Sequence, residues 1–441
     1  MPAALSVLLA LGVLFAPQQP DANQPSAAKE LGDLETALAA VVDLPDAAAR
    51  ADGVKGLLEK SSSLDKWLAV CADFGDFAQL DVGPMTETRE LKVLGEGEET
   101  DLHLYVPKSY DPSQPAPLLL WGHGAGGNGS GQYQLWQEVA EKVGMLILAP
   151  TEPIAQGYSK QPRERASTLE ALRWARRFAN VDENAIFVGG WSRGGHLAWD
   201  LALRHPDLFA GMVVCVGGPL MELGPANNMR YLENVAHLPI RDLQGSGDDP
   251  RLLMNLRLAF KSLKKLRAKD AKFIEFADRG HDADLSVVDW PAFFANRRDP
   301  WPKKVVRIAA DPTETRASWV EITGMRKKVQ VEAQPQVASR LWEKMNGEAK
   351  RAYLLKALAK NTARVAVHRT GKGRFRAEGF GITRFSLLLP ADQLGKSGKV
   401  DVRLANKPMR KVAKPSAQVL LLDFVERFDR TRLPVARVDF Q

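Results

Sequence analysis

Residues 184–205 read NAIFVGGWSRGGHLAWDLALRH, and they decide the fold of this chain. An apolar run (AIFV) enters two glycines, a serine sits in the turn, and an amphipathic helical pattern follows until Pro206 stops it. The order is strand, sharp turn, helix. Gly190 and Gly194 flank Ser192 where side chains would collide, and glycine tolerates the backbone angles such a turn demands. This geometry holds the Ser192 hydroxyl out at the carboxyl end of a sheet, above a helix N-terminus that favours negative charge. The competing reading of Ser192 is a plain helix cap.

Outward from this turn the chain alternates strands and helices. Upstream, TDLHLYVP and ELKVLGE read as two strands joined by a Gly/Glu-rich turn, and PAPLLLWGHG and MLILAP as buried strands. YQLWQEVAEKVG and STLEALRWARRFA carry helical spacing between and after them. Downstream, AGMVVCVGG, LPIRDLQG and AKFIEFAD read as strands, with RLLMNLRLAFKSLKKLR a helix between the last two. Such alternation implies right-handed crossovers and an α/β fold whose mainly parallel sheet is covered on both faces. Residues 23–87 read as a helical prefix, residues 88–300 as the α/β unit, and residues 301–441 as a separate, mostly-β domain. The strand-like pieces of that last part are KVVRIAA, SWVEITGM, KKVQVEA, ARVAVHR, RFSLLLP, KVDVRLA and SAQVLLLDF, with one helical insert at 337–361. No internal repeat is evident.

A hydroxyl nucleophile needs a base, an orienting acid and donors for the developing oxyanion. His123-Gly-Ala-Gly-Gly-Asn-Gly129 follows a buried strand, and its glycines let backbone N–H groups face an oxyanion. Ala125 or Gly124 is the expected donor there, and the Arg193 N–H the second. His123 lies too early to be the base and is read as shaping this loop. Of the seven histidines, His281 in ADRGHDAD lies in a loop after the last strand of the α/β unit, and it is the expected base. His196 and His205 sit on the helix after Ser192 and read as structural, while His103, His237 and His368 lack matching context. The segment LPIRDLQGSGDDPRLL offers Asp242, Asp248 and Asp249 as the acid. Asp249 precedes Pro250 and reads as a helix cap, and Asp242 lies within the strand, so Asp248 is favoured.

Composition excludes collagenous, disordered and disulfide-rich classes. Two cysteines, Cys71 and Cys215, leave no Cys-built zinc site, and whether they pair stays open. No metal, cofactor or nucleotide site is expected. The net charge of +7 hides an asymmetry: residues 297–441 hold 32 Lys and Arg against 14 Asp and Glu. A basic tail either complements the acidic remainder or attracts polyanions, and no nucleic-acid motif accompanies it. Residues 3–15 (AALSVLLALGVLF) are too short to span a bilayer and read as the core of a signal peptide ending near residue 22. A secreted or periplasmic protein without a membrane span is expected.

With Gly190–Gly195, the 123–129 loop, Asp248 and His281 in this order, the chain resembles the α/β-hydrolase superfamily over about residues 88–298. HGAGGNG and GWSRGGH are most similar to exported bacterial esterases related to polyhydroxybutyrate depolymerases and feruloyl esterases, and to prolyl-oligopeptidase-like domains. The chain departs from relatives at Gln244, where they often carry His-Gly. The resemblance implies an eight-stranded, mostly parallel sheet and an acyl-enzyme mechanism on an ester or amide substrate, and the basic tail leaves room for a polymeric or anionic one. Carboxylic esters are favoured, peptides come second, and a non-catalytic protein gripping an anionic glycan or cell-wall polymer is the rival from another class.

Overall fold

A computed structural model describes residues 24–441 except 92, 94–96, 153–161, 222–225, 333–338 and 406. The expected signal segment lies outside the described residues. Three helices come first: α1 (Gln24–Val42), α2 (Ala47–Lys60) and α3 (Leu64–Ala72). Asp46 caps α2 by accepting from Ala49 N–H, and Ser63 caps α3 by accepting from Lys66 N–H.

The central sheet follows, with strands β1 (Gly83–Glu90), β2 (Glu99–Val106), β3 (Ala116–Gly122), β4 (Leu146–Pro150), β5 (Val181–Trp191), β6 (Gly211–Cys215), β7 (Ile240–Gly245) and β8 (Ala271–Phe276). Its order is β1-β2-β4-β3-β5-β6-β7-β8. β2 runs antiparallel to both neighbours, and every pairing from β4 to β8 is parallel. Helices α4 (Gln137–Val143), α5 (Pro162–Phe178), α6 (Arg193–Arg204), α7 (Pro250–Lys265) and α8 (Trp290–Phe294) cover it. Two apolar cores result. One face buries Leu120, Val188 and Val214 with Trp199 of α6, and the other buries Trp121, Phe187 and Val213 with Phe293 and Phe294 of α8. Alternate residues of the central strands thus serve opposite faces, which is why these strands are apolar throughout.

Beyond α8 come β9 (Lys304–Ala309), β10 (Arg316–Ala317), β11 (Val320–Met325), α9 (Ser339–Glu343), α10 (Gly347–Ala359), β12 (Ala363–Gly371), β13 (Arg374–Phe380), β14 (Ile382–Leu389), β15 (Lys399–Leu404), β16 (Lys407–Val412), α11 (Ala417–Arg427) and β17 (Ala436–Phe440). They form a four-stranded sheet, β10-β11-β14-β17, and a five-stranded sheet, β16-β15-β13-β12-β9. One core, including Trp319, Phe385, Val365, Phe375 and Val400, draws on both.

Four expectations need correction. The first described strand is GPMTETRE, so strand structure begins at Gly83, ahead of the expected boundary at 88, while residues 92 and 94–96 of the expected strand ELKVLGE lie outside the described residues. Met85, Glu87 and Arg89 pair with Leu104, Leu102 and Thr100. The segment KKVQVEA makes no strand over its described residues: the Arg230 guanidinium takes the Val331 carbonyl at 2.7 Å, and Gln330 N–H bonds Asn361. SAQVLLLDF is helical. Ser416 caps α11, and Leu420, Leu421, Phe424 and Val425 form one buried face. The C-terminal part is also not separate. Its β9 residue Ile308 joins the α/β core and exchanges backbone bonds with the Asn234 amide, and α11 fills the core of the prefix beside Leu38, Trp67 and Phe74.

Candidate active site

The strand order, the antiparallel second strand and the serine turn between β5 and α6 give this chain the α/β-hydrolase fold. Ser192 occupies φ 55°, ψ −112°, a conformation that costs a non-glycine residue energy and persists only where its surroundings impose it. The imposing contacts are backbone. Ser192 N–H donates to Cys215 O at 2.8 Å and its carbonyl accepts from His196 N–H. A Cβ on Gly194 would lie 2.0 Å from Gly122 O, and one on Gly190 2.2 Å from the Gly194 carbonyl carbon. Helix and strands therefore approach more closely at this turn than any side chain allows.

Ser192, Asp248 and His281 come together. His281 Nε2 is 2.8 Å from Ser192 Oγ, and its Nδ1 is 2.8 Å from Asp248 Oδ2. With the carboxylate facing Nδ1, that nitrogen carries the proton and Nε2 is free to accept from the hydroxyl. Asp248 lies in the loop after β7, and His281 in the loop after β8. These loops hold each other through Gly247 N–H to Arg279 O at 2.8 Å. Asp248 is nearly buried, whereas His281 is half exposed. Asp248 Oδ1 accepts the Asp249 N–H at 2.7 Å, and Oδ2 also accepts from Gln244 Nε2 at 2.6 Å.

The other two acids have different places. Asp249 caps α7 and accepts from Arg251 N–H. Asp242 is fully buried under α6, where Trp199 Nε1 donates to it at 2.7 Å, and burial raises its carboxyl well above the usual range. His205 is partly buried and lowered to about 4 by desolvation, and His196 Nδ1 faces the Gly218 backbone. Cys71 and Cys215 are both buried free thiols, raised by desolvation.

Gly124 lies against the elbow: a Cβ there would be 4.0 Å from Ser192 Cβ, while Ala125 is exposed one residue on. His123 is fully buried behind this loop. Arg193 follows the nucleophile, and its guanidinium is buried between the carboxylates of Glu152 and Glu164. The sequence reading missed both acids. Glu164 is raised to about 7, burial outweighing the attraction of Arg193. Nothing local marks Glu152 or Glu164 in the sequence, because their partner is distant along the chain.

No family model matches the chain. The chain is 29% identical over 186 residues to NocK of Nocardia uniformis subsp. tsuyamanensis, provisionally named an esterase, covering 37% of this chain and 52% of that one. It is 29% identical over 120 residues to the pimeloyl-[acyl-carrier protein] methyl ester esterase of Vibrio vulnificus strain CMCP6, covering 27% of this chain and 42% of the relative. The chain thus spans about half the length of the curated relatives it matches. Among solved structures, a thermostable esterase superposes with a TM-score of 0.42 at 21% identity, over 49% of this chain and 63% of that one.

Proposed function

We propose that the protein is a serine hydrolase that cleaves carboxylic esters through an acyl-enzyme on Ser192. The observation that carries this reading is the pair of 2.8 Å contacts joining Ser192 Oγ, His281 and Asp248. His281 Nε2 takes the hydroxyl proton as Oγ attacks the ester carbonyl carbon. The oxyanion is met by backbone N–H groups at Arg193 and in the Gly124–Ala125 segment. His281 returns the proton to the departing alcohol as the C–O bond breaks. Water then attacks the acyl-Ser192, giving its proton to His281, and the carboxylic acid leaves with Oγ reprotonated. Asp248 stabilises the imidazolium in both halves, and Gln244 holds Asp248.

Ser192→Ala removes the nucleophile without disturbing a packed side chain. In a panel of short acyl esters and peptide amides, the wild type hydrolyses esters fastest and is labelled by a fluorophosphonate. The alanine variant keeps its melting temperature and does neither. Equal ester turnover in both proteins sinks the proposal, and faster cleavage of amides favours the peptidase reading. An unlabelled wild type favours the non-catalytic binding protein.

One feature supports an anionic, polymeric substrate. Lys304, His368, Arg376 and Arg403 stand in register on adjacent strands β9, β12, β13 and β15, exposed on one face of the five-stranded sheet. Neighbouring strands lie about 4.8 Å apart, so this row sets three cationic side chains and one imidazole along an extended line. Such a line suits a glycan carrying one carboxylate per sugar. Arg376→Ala with Arg403→Ala should then abolish retardation of the protein by polygalacturonate in affinity electrophoresis, leaving small-ester turnover unchanged. Unaltered retardation removes this part of the reading. Residues 3–15 support export, which fractionation of the expressing cells checks. No helix among the described residues is long and apolar enough to cross a membrane.

A further inference from the structure

The proposed oxyanion donors lie on two segments far apart in sequence, and a buried chain of contacts joins them. Arg193, first residue of α6, reaches Glu152 just past β4 and Glu164 in the first turn of α5. Glu152 continues the chain through its backbone: its N–H donates to His123 Nε2 at 3.1 Å. Because that nitrogen accepts, the ring proton is on Nδ1, which donates to the Gly124 carbonyl at 2.8 Å. Gly124 O also accepts from Gly127 N–H, closing the turn. The chain therefore runs from the elbow helix through the end of β4 to the glycine loop. Its four side chains are each at most 5% exposed.

This is a costly way to pack a helix start. Each buried ion loses several kcal/mol of hydration, which attraction recovers only with good geometry, and apolar side chains of the same volume are often as stable. Burial raises both Glu152 and Glu164 against the pull of Arg193. What charged, directional contacts supply over apolar ones is orientation. The Arg193 amide belongs to the first turn of α6, immediately after Ser192. Its direction follows from where the residue is held, and the strained Ser192 beside it needs surroundings that leave no slack.

We infer that Glu152, Glu164 and His123 are positioning residues that hold the Arg193 amide and the Gly124 loop in one oxyanion-binding geometry, with the Arg193 guanidinium as hub. This rests on the serine-hydrolase reading above. None of the three meets the substrate. They act through the two backbone segments, so their loss weakens the tetrahedral state and leaves substrate binding alone.

The test is Glu152→Gln, read per active site. Fluorophosphonate titration counts competent sites, so misfolded protein drops out. For a p-nitrophenyl ester, kcat per site falls roughly tenfold or more, since one oxyanion donor is worth about a hundredfold when lost outright. KM stays within about twofold, and the Ki of a phenylboronate, whose tetrahedral adduct mimics the oxyanion, rises by a factor similar to the fall in kcat. A purely structural contact would reduce the number of sites and leave both per-site values unchanged, and that result overturns the inference. If Glu152→Gln does not fold, the triple variant Arg193→Met/Glu152→Gln/Glu164→Gln strands no charge and is read the same way. Wild-type kcat per site in that variant overturns the inference equally. Full turnover in Ser192→Ala would instead overturn the hydrolase reading itself.

Discussion

Gln244 stands where the resemblance led one to expect a different residue, and its contact explains how the chain accommodates it. The amide donates to Asp248 Oδ2 at 2.6 Å, on the same oxygen that faces His281. Asp248 is thereby held in one direction in a nearly buried place. Gln244→Leu, close in volume, removes one donor to a carboxylate. We expect kcat for a small ester to fall roughly fivefold, the equivalent of about 1 kcal/mol, with KM unchanged. Steady-state kinetics checks this, and an unchanged kcat would mean that the Asp249 N–H suffices. At this scale much was legible in the sequence. Ser192 was marked by its glycines, His281 by its place after the last strand, and Asp248 by the exclusion of Asp249 as a cap. The glycine requirement is local, so pattern alone reveals it. Glu152 and Glu164 were not legible, since a buried carboxylate is identified only by the guanidinium that folding brings to it.

Among the elements, α11 is the instructive one. Its apolar run fits a strand as well as a helix, and what decides is the Ser416 cap and the four-residue spacing of Leu420, Phe424 and Phe428 toward α1, α2 and α3. Phe424 is 1% exposed and meets the Phe74 ring edge-on, with centroids 5.4 Å apart. Phe424→Ala should cost about 3–5 kcal/mol of unfolding free energy. Urea denaturation measures it, and a loss below about 1 kcal/mol would mean the prefix is held mainly by other contacts. The strand β1 shows the opposite failure. GPMTETRE is polar because it is an edge strand with one face in solvent, so its pattern is weak, while the apolar ELKVL beside it drew the reading away.

For the whole molecule, the charge asymmetry has a structural account. Arginines of the C-terminal part pair with acids of the α/β unit: Arg427 and Arg432 with Asp207, Arg430 with Glu183, and Arg364 with Glu233. Glu314 returns the arrangement, pairing with Arg165 and Arg204. Composition revealed the imbalance but not that much of it is spent inward, which only the folded contacts disclose. His205 lies in this seam, facing Glu314, Asp207, Arg307 and Arg427, and burial lowers it from 6.5 to about 4. Its neutral form is the folded one, so its contribution is complete above pH 6.5 and is lost as pH falls from there toward 4. Glu164, raised from 4.5 to about 7, acts in the opposite sense over a similar range, stabilising the fold as it protonates. The two largely offset, so the histidine is read by difference. His205→Gln should gain melting temperature relative to wild type as pH drops from 6.5 to 4. A pH-independent difference in calorimetry would contradict the assignment.

The sharing of one apolar core by α1–α3 and α11 also constrains how the chain is made. Leu38 and Trp67 emerge from the ribosome hundreds of residues before Leu420 and Phe424, which cover them. Until residues 417–428 have been made, the nascent polypeptide carries an open sticky face that α11 later covers, a contact of long sequence separation and therefore slow to form. A premature stop codon just ahead of residue 417 would leave every proposed catalytic group in place and still yield a protein prone to aggregate.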